Sequence, residues 1–139
     1  MQHSQEITKL GIPSDVFDDQ TSYIRTVREG LSGSTLKRVI LRFGHREAFV
    51  DALGETSANF SRLYTRKRLK KDQSESVLEF IRIFKKTEEV FGDVESAKLW
   101  LESDNTALGG ETPLALFDTF EGRKLVFEVL RKIEFGEFS

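Results

Sequence analysis

Residues 76–91 read SVLEFIRIFKKTEEVF, and their spacing decides the fold class. Val77, Phe80, Ile81, Phe84 and Phe91 recur at intervals that place them on one face of a helix turning every 3.6 residues. Charged residues fill the gaps, and no alternation suited to a strand is present. Asp72 with Glu75 three positions on forms a capping-box pattern, which opens the longest helix of the chain. Gly92 closes it, and Asp93 can cap the next segment, VESAKLWLE.

The same periodicity extends in both directions and predicts an all-α protein of about seven helices. Toward the N-terminus, Phe49, Val50 and Leu53 mark a short helix over Arg46–Leu53 that stops at Gly54. Thr56 then caps a further helix with Phe60 and Leu63 buried. Leu36, Val39, Ile40 and Phe43 form the apolar face of a helix closed by Gly44, and a helix around Tyr23–Arg28 ends at Gly30. Residues 1–20 are expected to be loosely ordered. Toward the C-terminus, Thr112-Pro113 starts a short helix, because proline in the first turn lacks only an N–H that would be unpaired anyway. Thr119 or Glu121 starts the last helix, with Leu125, Val126, Val129, Leu130 and Ile133 inward.

Composition narrows the function classes. A chain of 139 residues with twelve Phe can build a packed core, and none of its apolar runs is long enough to span a bilayer. The opening MQHSQEITKL lacks the apolar stretch of a signal peptide, so a cytoplasmic protein is expected. The absence of cysteine excludes disulfides and thiolate metal sites. Charge is divided: residues 1–71 hold thirteen Lys or Arg against eight acids, and residues 72–139 hold eight against fifteen. Such a bipolar chain suggests two surfaces with different partners, the basic one suited to phosphate.

No catalytic pattern emerges. His3 and His45 lie far apart in sequence without ligand partners, and neither a nucleophile elbow nor an HExxH pattern occurs. Gly109-Gly110 lacks the strand and lysine of a phosphate loop and reads as a bend between helices. The reading is therefore of a non-enzymatic protein with no metal, cofactor or small-molecule substrate. Residues 45–71, HREAFVDALGETSANFSRLYTRKRLKK, offer a short helix, a glycine turn, a Thr-capped second helix and a basic run. In a helix–turn–helix the second helix lies in the major groove. Ser57, Asn59, Ser61 and Arg62 would then face base edges, and Arg66, Lys67 and Arg68 would meet phosphates. The same residues read equally well as a helical hairpin with a solvated basic face.

Residues 97–139 add a resemblance. Ala97, Trp100-Leu101, Asn105, Leu108-Gly109-Gly110, Pro113-Leu114, Thr119, Gly122, Val126, Leu130, Ile133-Glu134 and Gly136 form a skeleton similar to the toxin-binding domain of the Xre/MbcA/ParS antitoxins. Upstream, LGETSANFSRL and RLKKDQSESV resemble the family's helix–turn–helix and its link into the long helix. The likeness covers about residues 29–139 and departs from the family pattern at Glu55, Asn59, Leu63 and Ser76.

Three segments are expected, the second and third of the kinds that the resemblance implies. A loosely ordered stretch (1–20) would precede an Xre-like helix–turn–helix domain (21–72) and a helical toxin-binding domain (73–139). The resemblance further implies a homodimeric antitoxin that binds a RES-domain, NAD-consuming toxin, occludes its active-site cleft with the C-terminal region and represses its own operon at operator DNA. The expected toxin contacts are Glu134, Phe135, Glu137, Phe138 and Ser139, with Phe138 either a partner anchor or folded back on its own domain. The rival reading is a stand-alone dimeric transcription regulator whose C-terminal half only dimerises.

Overall fold

The computed structural model describes residues 2–136, and every regular element among them is helical. Seven α-helices are α1 (Gln2–Lys9), α2 (Gln20–Glu29), α3 (Gly33–Phe43), α4 (Arg46–Leu53), α5 (Lys71–Phe91), α6 (Val94–Leu101) and α7 (Phe120–Glu134). Short 3-10 helices occupy Phe60–Thr65, Thr106–Leu108 and Pro113–Leu116. The chain divides into two compact units, residues 1–78 and 79–139, with the boundary inside α5.

In the first unit the core gathers Leu36 and Val39 of α3, Phe49, Val50 and Leu53 of α4, and Phe60 and Leu63. Its N-terminal stretch corrects the expectation of loose order. α1 and the turns after it bury Ile7, Leu10, Ile12 and Val16, and the Ser22 hydroxyl donates to Asp15 at 2.7 Å. Glu6 also pairs with Arg42. Four buried aliphatic side chains hold this segment down.

A second correction concerns the segment after Thr56. It forms tight turns instead of an α-helix: Asn59 N–H donates to Thr56 O, Arg62 N–H to Asn59 O and Arg66 N–H to Leu63 O, each at 3.1 Å. These i→i+3 bonds define 3-10 geometry. Two causes are visible. Ser57, Asn59 and Ser61 are poor helix-interior residues, and Gly33 presses against the segment. A Cβ on Gly33 would lie 2.0 Å from Leu63 O, and the Gly33 N–H takes Arg66 O at 2.9 Å.

The start of α5 is a third. The side-chain cap sits earlier than Asp72–Glu75: the Gln73 side chain accepts from Lys70 N–H at 3.2 Å and donates to Leu53 O at 3.1 Å. Gln73 is almost fully buried, so its amide must find both partners.

The second unit is built around Phe80, Phe84 and Phe117. The Phe80 and Phe117 rings are 4.7 Å apart at 69°, and Phe84 lies 5.5 Å from Phe117. Val126, Val129 and Leu130 of α7 complete the interior. Leu125, expected inward, is 40% exposed. At 100° per residue it stands on the edge of the stripe that those three define. Ile133 is half-buried.

Candidate partner-binding surfaces

The C-terminal surface is set by how α7 begins and ends. Thr119 is the N-cap and accepts the Gly122 N–H at 2.9 Å. Gly122 is buried, and a Cβ there would lie 2.0 Å from Leu116 O. Only glycine lets α7 come this close to the 3-10 helix Pro113–Leu116, which Thr112 caps through Ala115 N–H at 3.2 Å. Arg123 then fastens the first turn: it meets Glu79 at 2.5 Å and Phe117 O at 2.7 Å, with its guanidinium 6.0 Å above the Phe80 ring.

The loop before that helix is fixed by Asn105, whose side chain accepts from Ala107 N–H at 2.9 Å and whose backbone pairs with Gly110 and Glu111. Gly109 and Gly110 both have positive φ, 69° and 85°, so the paired glycines do make the bend. Trp100 is half-buried and stacks on Phe91 at 5.5 Å, tilted by 34°.

At its far end α7 is tied down by Glu134, which meets Lys86 of α5 at 2.8 Å. Glu134 therefore braces the helix. Phe135, the C-cap residue, is 63% exposed, and Gly136 follows with φ of 70°, a left-handed value that ends the helix. Glu137, Phe138 and Ser139 lie outside the described residues.

The basic surface belongs to the first unit. Ser57 is exposed and bridged to Arg46, whose guanidinium reaches the Ser57 hydroxyl and carbonyl at 3.0 Å each. Asn59 is half-buried at the head of the 3-10 helix, while Ser61 and Arg62 are exposed. Past Thr65 the chain extends alongside residues 29–33. Leu69 N–H donates to Leu31 O at 2.7 Å, and Arg68 reaches Glu29 O at 3.1 Å. Gly30 permits this approach, since a Cβ there would lie 2.6 Å from Leu69 O. Arg66, Lys67 and Arg68 are exposed on that segment, and Lys67 and Arg68 border a hollow of about 600 Å³ with Gly30 and Ser32.

The structure thus brings Arg66, Lys67 and Arg68 together on one extended stretch, with Ser61 and Arg62 on the turn before it. It presents no second α-helix to carry Ser57 and Asn59. His45 holds the only positive φ of a non-glycine residue among those described, 61°, in the turn between α3 and α4. No cluster of three or more His, Asp or Glu suited to a metal occurs among the described residues, and no described helix is long and apolar enough to cross a membrane.

Residues 86–136 match the family model described as the antitoxin Xre/MbcA/ParS C-terminal toxin-binding domain. A curated relative from Sphingobium sp. (strain YBL2), named Prs ADP-ribosylating antitoxin, is 28% identical over 127 residues. The alignment covers 84% of this chain and 80% of that one.

Proposed function

We propose that this chain is an antitoxin of the Xre/MbcA/ParS type, a binding protein that neutralises a cognate RES-domain toxin in the cytoplasm by occluding its NAD-binding cleft. The observation that carries this is the exposed Phe135 at the end of the toxin-binding domain, with Glu137 and Phe138 following in sequence. Covering a ring of that exposure contributes about 2 kcal/mol, and aromatic anchors dominate interfaces once water is excluded. Glu137 would complement a cleft that accommodates a dinucleotide's phosphates. The relative's name couples an antitoxin with ADP-ribosylation, a reaction that draws on NAD.

The test is truncation after Glu134, which retains the pair with Lys86. Cells co-expressing the toxin are expected to lose protection while the helical signal of the purified chain stays near wild type. Full protection by the truncated chain would defeat occlusion by the tail.

The basic segment supports a second role, binding operator DNA as a homodimer, with Arg66, Lys67 and Arg68 on phosphates and the exposed Ser61 and Arg62 toward the bases. Affinity for upstream DNA should fall steeply with salt, and Arg66→Ala should lower the slope of log K against log salt by about 1. An unchanged slope would remove Arg66 from the interface. A regulator without a toxin partner would elute alone when co-expressed with the neighbouring gene.

A further inference from the structure

The second unit carries an aromatic stripe along α7, of which the tail reading uses only Phe135. Phe120 and Phe135 are 59% and 63% exposed, and Phe127 between them is half-buried. Spacings of seven and eight residues put all three rings on one side of the helix. Lys124 and Arg131 stand between the rings on the same side. Both are exposed, and neither has a carboxylate partner among the described residues. Beside the stripe, α5 contributes Arg82 and Ile83 to a groove of about 350 Å³, and a smaller hollow bordered by Arg131 and Phe135 continues it toward the end of the helix.

Charge says what would fit. Residues 79–139 hold eight basic and thirteen acidic residues, so a cationic border is contrary to the unit's own balance. Of the carboxylates lining the groove, Glu79 is taken by Arg123, which leaves Glu128, a lining residue of both hollows, against the five basic residues Arg82, Arg123, Lys124, Arg131 and Lys132. A second copy of the stripe is a poor occupant. Laying the rings of two antiparallel copies on each other, Phe120 against Phe135 and Phe127 near its counterpart, sets Lys124 against Arg131. Like charges would then face each other across a closing apolar contact, which destabilises it.

We propose that this groove is a toxin contact separate from the tail, seating an apolar segment of the toxin flanked by carboxylates. It rests on the toxin-neutralising reading and deepens it. The rings supply desolvated area, and Lys124 and Arg131 fix the register of the partner's acidic groups. Continuity along α7 to Phe135 lets one partner cover the groove and the chain's end together.

The test uses the full chain and a catalytically inactive toxin, with binding measured by calorimetry and folding checked by circular dichroism. Arg131→Glu is expected to weaken binding about tenfold or more, whereas Lys98→Glu, the same charge change on exposed α6, should stay within about twofold. Phe120→Ala, which removes apolar area without altering charge, is expected to weaken binding about tenfold as well. If the wild-type chain does not bind the toxin, the toxin-neutralising reading itself fails. If the wild type binds and both groove variants match it, the groove proposal is overturned and the tail reading stands. A change in the mass of the free chain on Arg131→Glu, seen by light scattering, would make the face a self-interface and overturn the proposal too.

Discussion

Replacing Gly122 with alanine tests how α7 is seated. The added methyl carbon would lie 2.0 Å from Leu116 O, 2.9 Å from Leu116 C and 2.9 Å from the Thr119 hydroxyl. Two of those atoms are backbone, so relief must come from moving α7 off the 3-10 helix Pro113–Leu116. Overpacking of this kind costs about 1–3 kcal/mol. Displacing the Thr119 cap costs about 1 kcal/mol more, and alanine returns up to about 1 kcal/mol of helix propensity. The expected net loss is about 2 kcal/mol, a fall in melting temperature of roughly 8–16 °C for a unit of this size. Thermal and urea unfolding followed by circular dichroism measure it. Thr119→Ala alone should cost about 1 kcal/mol. Because both changes break the same cap, the double variant should lose less than the sum of the two. A Gly122→Ala chain as stable as wild type, or strict additivity, would refute the close-approach account.

Three further outcomes follow from the contacts. Arg123→Ala removes the partner of Glu79, whose side chain is 15% exposed, together with the bond to Phe117 O; the expected loss is about 3 kcal/mol in urea unfolding. Gly33→Ala should separate α3 from the 3-10 helix Phe60–Thr65 and cost about 2 kcal/mol in urea unfolding. Asp93 accepts the Ser96 N–H at 2.6 Å, and that bond, with help from the Ser96 side chain, holds its pKa below the ordinary aspartate value. A depressed folded-state pKa gives stability that is complete above the unfolded value, near 4, and is lost as pH falls through the folded one. Asp93→Asn, which still caps, should therefore flatten part of the stability loss below about pH 4 and leave the neutral plateau unchanged.

Much of this was legible because caps and stops are local. Gly30, Gly44, Gly54, Thr112, Thr119 and Asp93 act within three or four residues of themselves, so the side chain, its acceptor and the helix end lie in one short string. The 3-10 helix was not legible. Phe60 and Leu63, three apart, share a face in either helical form, and of the two causes of the tighter one only the weak helix formers Ser57, Asn59 and Ser61 are local, while Gly33 lies nearly thirty residues away. The cap of α5 shifted for a similar reason: Gln73 is drawn to Leu53 O, a partner no local pattern contains. The folded N-terminal stretch escaped because Ile7, Leu10, Ile12 and Val16 cross from a helix into turns and keep no single period. The groove left a trace that was open to reading, Phe120, Phe127 and Phe135 with Lys124 and Arg131 between them. The buried stripe Val126, Val129 and Leu130 carries the stronger periodic signal on α7.

The stacking of Trp100 on Phe91 has a practical consequence. It is the sole tryptophan of the chain and lies in the second unit, whereas Tyr23 and Tyr64, the only tyrosines, both lie in the first. Indole emission therefore reports on the second unit alone, with no label introduced. Comparing its transition with the far-ultraviolet signal of the whole chain would reveal whether the halves melt as one cooperative body or in succession.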